Sequence, residues 1–203
     1  AGMDDLILNE RATGKPFKFG DSVHEMPLGF RRIIDGETII LGNRSWIVRV
    51  GNGHAPEHLT LWCEDEPIVI AGDQIISSIS PNLGVYSTEP EADPVQEWLM
   101  SCEAFLPFSN DKQLVLPGHK LPFYGLPHRL KQLIENHHSA LKRLVAFLKE
   151  PQTAVDCFPV LFNRKISDNE YGLALVEAVA HLNHLYRKKI VKREFNSKGA
   201  YVY

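Results

Sequence analysis

The sequence predicts an α/β unit followed by a mostly α-helical segment that ends in a β-hairpin. Three observations predict it. Short β-branched and aromatic runs, separated by turn residues, crowd the stretch from Thr38 to Ala71. A Pro- and Gly-rich stretch, Leu121 to Pro127, then marks a boundary. Beyond it the apolar residues recur at three- and four-residue steps, the spacing of amphipathic helices. The expected division is therefore residues 1–120 and 121–203.

Taken in order, Ala1 to Gly20 mixes a short apolar patch (Leu6, Ile7, Leu8) with Gly, Lys and Asn, and reads as the tail of something begun upstream. Gly36-Glu37 is a turn into Thr38-Ile39-Ile40-Leu41, and Gly42-Asn43 is another turn before a strand over Ser45–Val50. Leu59–Cys63 and Pro67–Ala71 flank the acidic turn Glu64-Asp65-Glu66 and form a hairpin. Gln74 to Thr88 is loop-like. Asp93-Pro94 starts a helix that runs to Leu106, with Pro at the first helical position. Gln113–Leu116 is a short strand ending at Pro117-Gly118-His119.

In the second segment a long helix is expected over His128–Leu148, a shorter one over Ala154–Phe162 and a third over Asn169–Arg187. Ile190–Phe195 and Ala200–Tyr203 flank the turn Asn196-Ser197-Lys198-Gly199 as a hairpin. Three helices followed by a hairpin is the order of a winged helix. The adjacent His137 and His138 are expected at the surface or an interface, as are His181 and His184.

An apolar content of 44% with 23% charged residues is that of an ordinary globular protein, and 203 residues suffice to bury a core without staples. The net charge of −3 hides an asymmetry. Leu61–Met100 contains acidic residues and no Lys or Arg, whereas Leu185–Tyr203 carries Arg187, Lys188, Lys189, Lys192, Arg193 and Lys198 against Glu194. Three widely spaced cysteines without a C-x-x-C argue against a disulfide framework and fit a reducing, cytoplasmic setting. No apolar run is long enough to span a bilayer, so no membrane partner is expected. No secretory signal is expected either.

Three short signals carry chemistry. Gly53-His54-Ala55-Pro56-Glu57-His58 lies between two strands, Gly72-Asp73 ends the next, and Pro117-Gly118-His119 ends a later one. Imidazole and carboxylate groups on loops at strand ends suit a borderline metal such as zinc. Each dipeptide alone is common; their joint order is not.

Here the sequence resembles the metallo-β-lactamase superfamily, in particular its hydroxyacylglutathione hydrolase-like (glyoxalase II-like) branch. The motif G-H-T-x-G-H of that family is matched by Gly53 to His58, with Ala55 and Glu57 as departures. The resemblance implies an αββα sandwich, of which this chain is the C-terminal half. It makes His54 and His119 metal ligands, Asp73 the catalytic carboxylate bridging two ions, and His58 a supporting residue. The ions implied are zinc, with iron or manganese as alternatives. The implied activity is hydrolysis of a small-molecule ester, thioester, lactone or β-lactam, or of a phosphodiester. The stretch Ser80-Pro81-Asn82 through Tyr86 to Glu89-Pro90 also looks like a subgroup of these hydrolases, where it lies near the substrate cleft.

The family's first motif, H-x-H-x-D-H, is missing: only His24 precedes His54, with no such motif around it. One terminal His per metal and a shared carboxylate cannot complete tetrahedral coordination. The chain alone is therefore expected to bind metal poorly and catalyse little. It is either a fragment of a longer enzyme or a degenerate, non-catalytic relative, and the persistence of all three residues favours the fragment. An uncovered half-sandwich is further expected to self-associate. Residues 121–203 resemble the winged-helix domain appended to the endoribonuclease-like β-lactamase-like protein 2 branch. There Lys188, Lys189, Lys192, Arg193 and Lys198 either contact nucleic-acid phosphates or form a solvated helix end.

Overall fold

The computed structural model describes residues 1–15, 19–21, 23–25 and 27–203. The first element is a helix, α1 (Asp5–Thr13), within the stretch read as the tail of something begun upstream; Asp4 caps it by accepting from the Leu6 amide, and it buries none of its residues. Without a buried face it leaves no apolar period to read. The part of that tail at 16–18 lies outside the described residues.

Strands β1 (Thr38–Leu41), β2 (Arg44–Gly51), β3 (His58–Cys63) and β4 (Ile68–Gly72) form an antiparallel meander. β5 (Leu114–Pro117) adds in parallel beside β4, completing a five-stranded sheet in chain order. A parallel neighbour needs a crossover connection, and helix α2 (Pro94–Phe105) lies in it. Asp93 caps α2 by accepting from the Gln96 amide, and Pro94 occupies the first turn, where its missing N–H costs nothing.

Paired residues share one side of a sheet. Trp62, Val69 and Val115 are in register on the side that receives Val95, Trp98, Leu99, Cys102 and Phe105 of α2, with Trp62 and Phe105 ring centres 5.7 Å apart. The other side carries Val48, Leu61, Ile70 and Leu116 in register, and Leu59 and Ile70 are each 38% exposed there.

Helix α3 (Leu126–Phe147) begins after Gly125, whose φ of +80° sets the entry, and buries Leu126, Leu130, Leu133, His137, Leu141 and Leu144. α4 (Phe158–Phe162) is shorter than its expected span from Ala154: a 3₁₀-type bond from the Cys157 amide to the Ala154 carbonyl precedes it, and Pro159 favours a fresh first turn. α5 (Tyr171–Arg187) buries residues around most of its circumference, as a central helix must. Its end is closed by Ile190 donating to the Leu185 carbonyl and Lys189 to that of Tyr186, with Lys189 left-handed at φ 58°. That closure uses residues expected to be strand, so the terminal hairpin is only β6 (Glu194–Phe195) with β7 (Tyr201–Val202).

One continuous buried cluster extends from Trp62 through α2 and α3 to Leu185, joining the two sequence segments. It also overturns a surface assignment: His137, His181 and His184 are buried, at 4%, 2% and 6% exposure, and only His138 is exposed. His181 Nδ1 meets the Glu177 carbonyl at 2.9 Å and so carries the proton, leaving Nε2 to accept from His137 Nδ1 at 3.2 Å. Burial drives both imidazoles to the neutral form, with pKa values lowered to about 3 and about 4.

Candidate metal centre

The ends of β4 and β5 are tied by the Gly118 amide donating to the Gly72 carbonyl at 2.8 Å. That tie brings the residues following both strands, Asp73 and His119, to one edge of the sheet. The loop between β2 and β3 brings His54 to the same place. His54 Nε2 lies 3.7 Å and His119 Nε2 3.5 Å from the same carboxylate oxygen, Asp73 Oδ2. The other oxygen, Oδ1, is buried without a hydrogen-bond partner.

The glycine before each of these residues is there for space. At Gly53, with φ +99°, a Cβ would lie 2.4 Å from Trp98 Cβ and 2.5 Å from the Pro94 carbonyl oxygen. At Gly118 it would lie 2.4 Å from Asp73 Oδ1. A side chain at either position would therefore push the edge apart.

Supporting contacts fix the two inner groups. His54 Nδ1 is 2.8 Å from the Asn82 carbonyl, so the proton sits on Nδ1 and Nε2 faces Asp73 with a free lone pair. Asn82 is held in turn: its Nδ2 donates to the Glu177 carboxylate at 2.8 Å and to the Leu173 carbonyl at 3.2 Å. His58 Nε2 accepts the Asp73 amide at 3.3 Å, so this residue meets the backbone of Asp73, with its ring centre 5.9 Å from that of His54. Burial, then the nearby His54, lowers the His58 pKa.

The three residues fit a divalent ion by donor type, by the lone pair left on His54 and by the orphaned Asp73 Oδ1. They fit it as a partial set. Among the described residues no group of three or more His, Cys, Asp or Glu side chains converges closely enough to hold an ion alone. His24, the only earlier histidine, is an exposed residue of the N-terminal segment.

The three residues open into a cleft of about 590 Å³. One wall is the loop after β4, including Ile76, Ile79 and Asn82; the facing wall is Phe162, Ile166 and Leu173 from the C-terminal segment. The Ser80-Pro81-Asn82 stretch thus lines the cleft. Asn82 was named from the sequence only as part of that stretch, with no role of its own, and Glu177 was not singled out at all. A lone acid on the apolar helix α5 was the available signal, since a carboxylate there must find a partner. Burial raises Glu177 to about 7, against the lowering effect of its Asn82 hydrogen bond.

The basic cluster divides. Lys188, Lys189, Lys192 and Lys198 are exposed. Arg193 is not a free cation: its side chain is 10% exposed, pairs with Glu91 at 2.9 Å and lies 4.2 and 4.3 Å from the Tyr186 and Tyr201 ring centres. Its expected place among phosphate contacts is corrected on that ground.

Residues 141–203 match the family described as metallo-beta-lactamase-like, C-terminal domain. The whole chain is similar to a beta-lactamase domain protein from Burkholderia ambifaria, with 33% identity, a TM-score of 0.91 and 58% of that protein covered. It is also similar, over 97% of its length, to a metallo-beta-lactamase family protein from Thermus thermophilus, with 27% identity, a TM-score of 0.74 and 62% of that chain covered. No curated protein matches the sequence. The mixed α/β fold thus resembles the metallo-β-lactamase domain, and the chain spans about three fifths of the length of these two relatives.

Proposed function

We propose that the chain belongs to a metal-dependent hydrolase of the metallo-β-lactamase superfamily and contributes His54, Asp73 and His119 to a dinuclear site. The observation that carries this reading is the convergence of two imidazole Nε2 atoms on one carboxylate oxygen at the mouth of a cleft. The remaining ligands come from residues outside these 203, so the chain alone is inactive. When bound, zinc or a similar ion supplies a hydroxide at neutral pH and an electrophilic partner for the developing oxyanion. The chain's own residues do the positioning. Asp73 presents Oδ2 to both imidazoles, and His58 and the Gly118–Gly72 tie hold its backbone. Asn82 keeps the His54 proton on Nδ1. The net reaction is hydrolysis: water oxygen bonds to the acyl carbon, the bond to the leaving group breaks, and that group takes a proton.

The test is metal content and metal-dependent hydrolysis of the longer protein that contains this chain. Two ions per protein and activity lost in both Asp73→Asn and His119→Ala are expected. A parent sequence without H-x-H-x-D-H, or full activity in Asp73→Asn, sinks the reading. Two ions bound by the 203-residue chain itself would overturn its incompleteness.

A second reading has its own observation: the four exposed lysines at the end of α5 and in the hairpin, on an element order that fits a winged helix. Neutralising phosphates there gives nucleic-acid binding that weakens steeply with salt. RNA and DNA binding that Lys189→Glu with Lys192→Glu leaves unchanged removes this reading. We also propose that the exposed part of the far sheet side, around Leu59 and Ile70, is covered by self-association of this chain.

A further inference from the structure

The two walls of the cleft say what kind of group it accepts. At about 590 Å³ the cavity lies within the range of small-molecule sites. Ile76, Ile79, Phe162, Ile166 and Leu173 make its sides apolar away from His54, Asp73 and His119. Its charged groups leave no cation unpaired among the described lining residues. The one arginine, Arg164, gives Nη1 and Nη2 to the two carboxylate oxygens of Glu170 at 2.9 and 2.7 Å, and Ser167 adds a hydroxyl to the same carboxylate. The other carboxylates of the lining are Asp73 and Glu177. Away from the ions that His54, Asp73 and His119 would hold, a phosphodiester chain would bring further negative charge to walls whose described residues offer it no free guanidinium or ammonium.

We infer that the cleft takes a substrate with an uncharged aliphatic or aromatic group, laid between Ile79 and Leu173, so that the scissile bond is a carboxylic ester, thioester or lactone rather than a phosphodiester. This rests on the hydrolase reading and deepens it. The C-terminal segment then sets specificity directly, because Phe162, Ile166 and Leu173 supply one whole wall. Leu173 and Ile79 are 56% and 44% exposed, as expected of side chains that wait for an apolar ligand and do not hold the fold together.

The experiment is a titration of the 203-residue chain with n-alkanols from butanol to decanol, followed by methyl resonances of Ile79, Ile166 and Leu173. Affinity is expected to rise about three- to four-fold per methylene and to level off when the cavity is filled. Leu173→Glu and Ile79→Asp, both folded by circular dichroism, each weaken the longest bound alcohol at least ten-fold. An affinity independent of chain length, or variants that bind as the parent does, overturns the inference. So does dimethyl phosphate binding in the same cleft as tightly as hexanol. Zinc uptake by the longer protein is measured separately. Uptake at His54 with a flat alkanol series overturns this inference and leaves the hydrolase reading standing. A rising alkanol series without zinc uptake upholds the apolar wall and overturns the hydrolase reading.

Discussion

Buried imidazoles make a fold sensitive to mild acid, and His137 and His181 lie in contact. Folded, they titrate near 3 and near 4, because burial penalises their charged forms; unfolded, each returns to about 6.5. Between these values the unfolded chain binds more protons, so stability falls as pH drops from about 6.5 towards 4. Glu177 acts in the opposite sense. Its folded pKa, raised by burial to about 7, favours the neutral form, a contribution present in full below the ordinary carboxylate range and lost as pH rises through 7. Two groups against one leave the chain less stable at pH 5 than at pH 7. Urea midpoints should show this, and His137→Leu should narrow the difference; equal midpoints at both pH values in the parent chain would refute it. The burial of His137 was legible in principle. It sits four residues after Leu133 and four before Leu141, on the apolar stripe of α3, but a reading that counts only apolar residues passes over it. The candidate site residues were picked out on a different signal: each follows a glycine at a strand end, and in the structure those glycines are packed too closely for anything larger.

Arg129 shows how one helix holds a loop that has no regular structure of its own. From α3 its Nε donates to the Ile76 carbonyl at 2.7 Å and its Nη2 to the Ile79 carbonyl at 2.8 Å. Arg129→Met keeps the length of the side chain but strips both carbonyls of their donor. It should destabilise the chain by about 1–3 kcal/mol and speed amide exchange between residues 76 and 82. Unaltered exchange in that loop would show that the clamp is dispensable. The loop is where sequence reading stopped, since its order depends on donors 50 or more positions away. Strands β2 to β5 were visible as short β-branched and aromatic runs between turns, α2 and α3 because burial on one side imprints a period of 3.6, and α5 as a long apolar stretch. α1 buries nothing and α4 is cut short by local turn bonding, so neither left such an imprint over the expected span.

At the scale of the molecule, two sequence segments that differ in pattern and charge pack through one core and share one cleft. The shared cleft was not legible in the sequence, because nothing in the spacing of Phe162, Ile166 and Leu173 distinguishes a wall from a core. The same view isolates the sheet side bearing Leu59, Ile70 and Leu116. If that side is covered by a second copy, sedimentation velocity should show a dimer that Leu59→Lys with Ile70→Lys turns into a monomer. A concentration-independent monomer in the parent chain would count against it.

The bond from Asn82 to Glu177 also has a consequence for biosynthesis. Ribosomes extend the chain from its N-terminus at about 5–20 residues per second, so Glu177 is added about 3–12 s after His119. During that interval His54, Asp73 and His119 exist without the far wall, and Asn82 has nothing to grip. What will be a cleft is then an open ledge, and anything that binds at Asp73 has unhindered access to it. Docking of α5 then completes the cleft, because Glu177 supplies the partner that Asn82 holds in the finished chain.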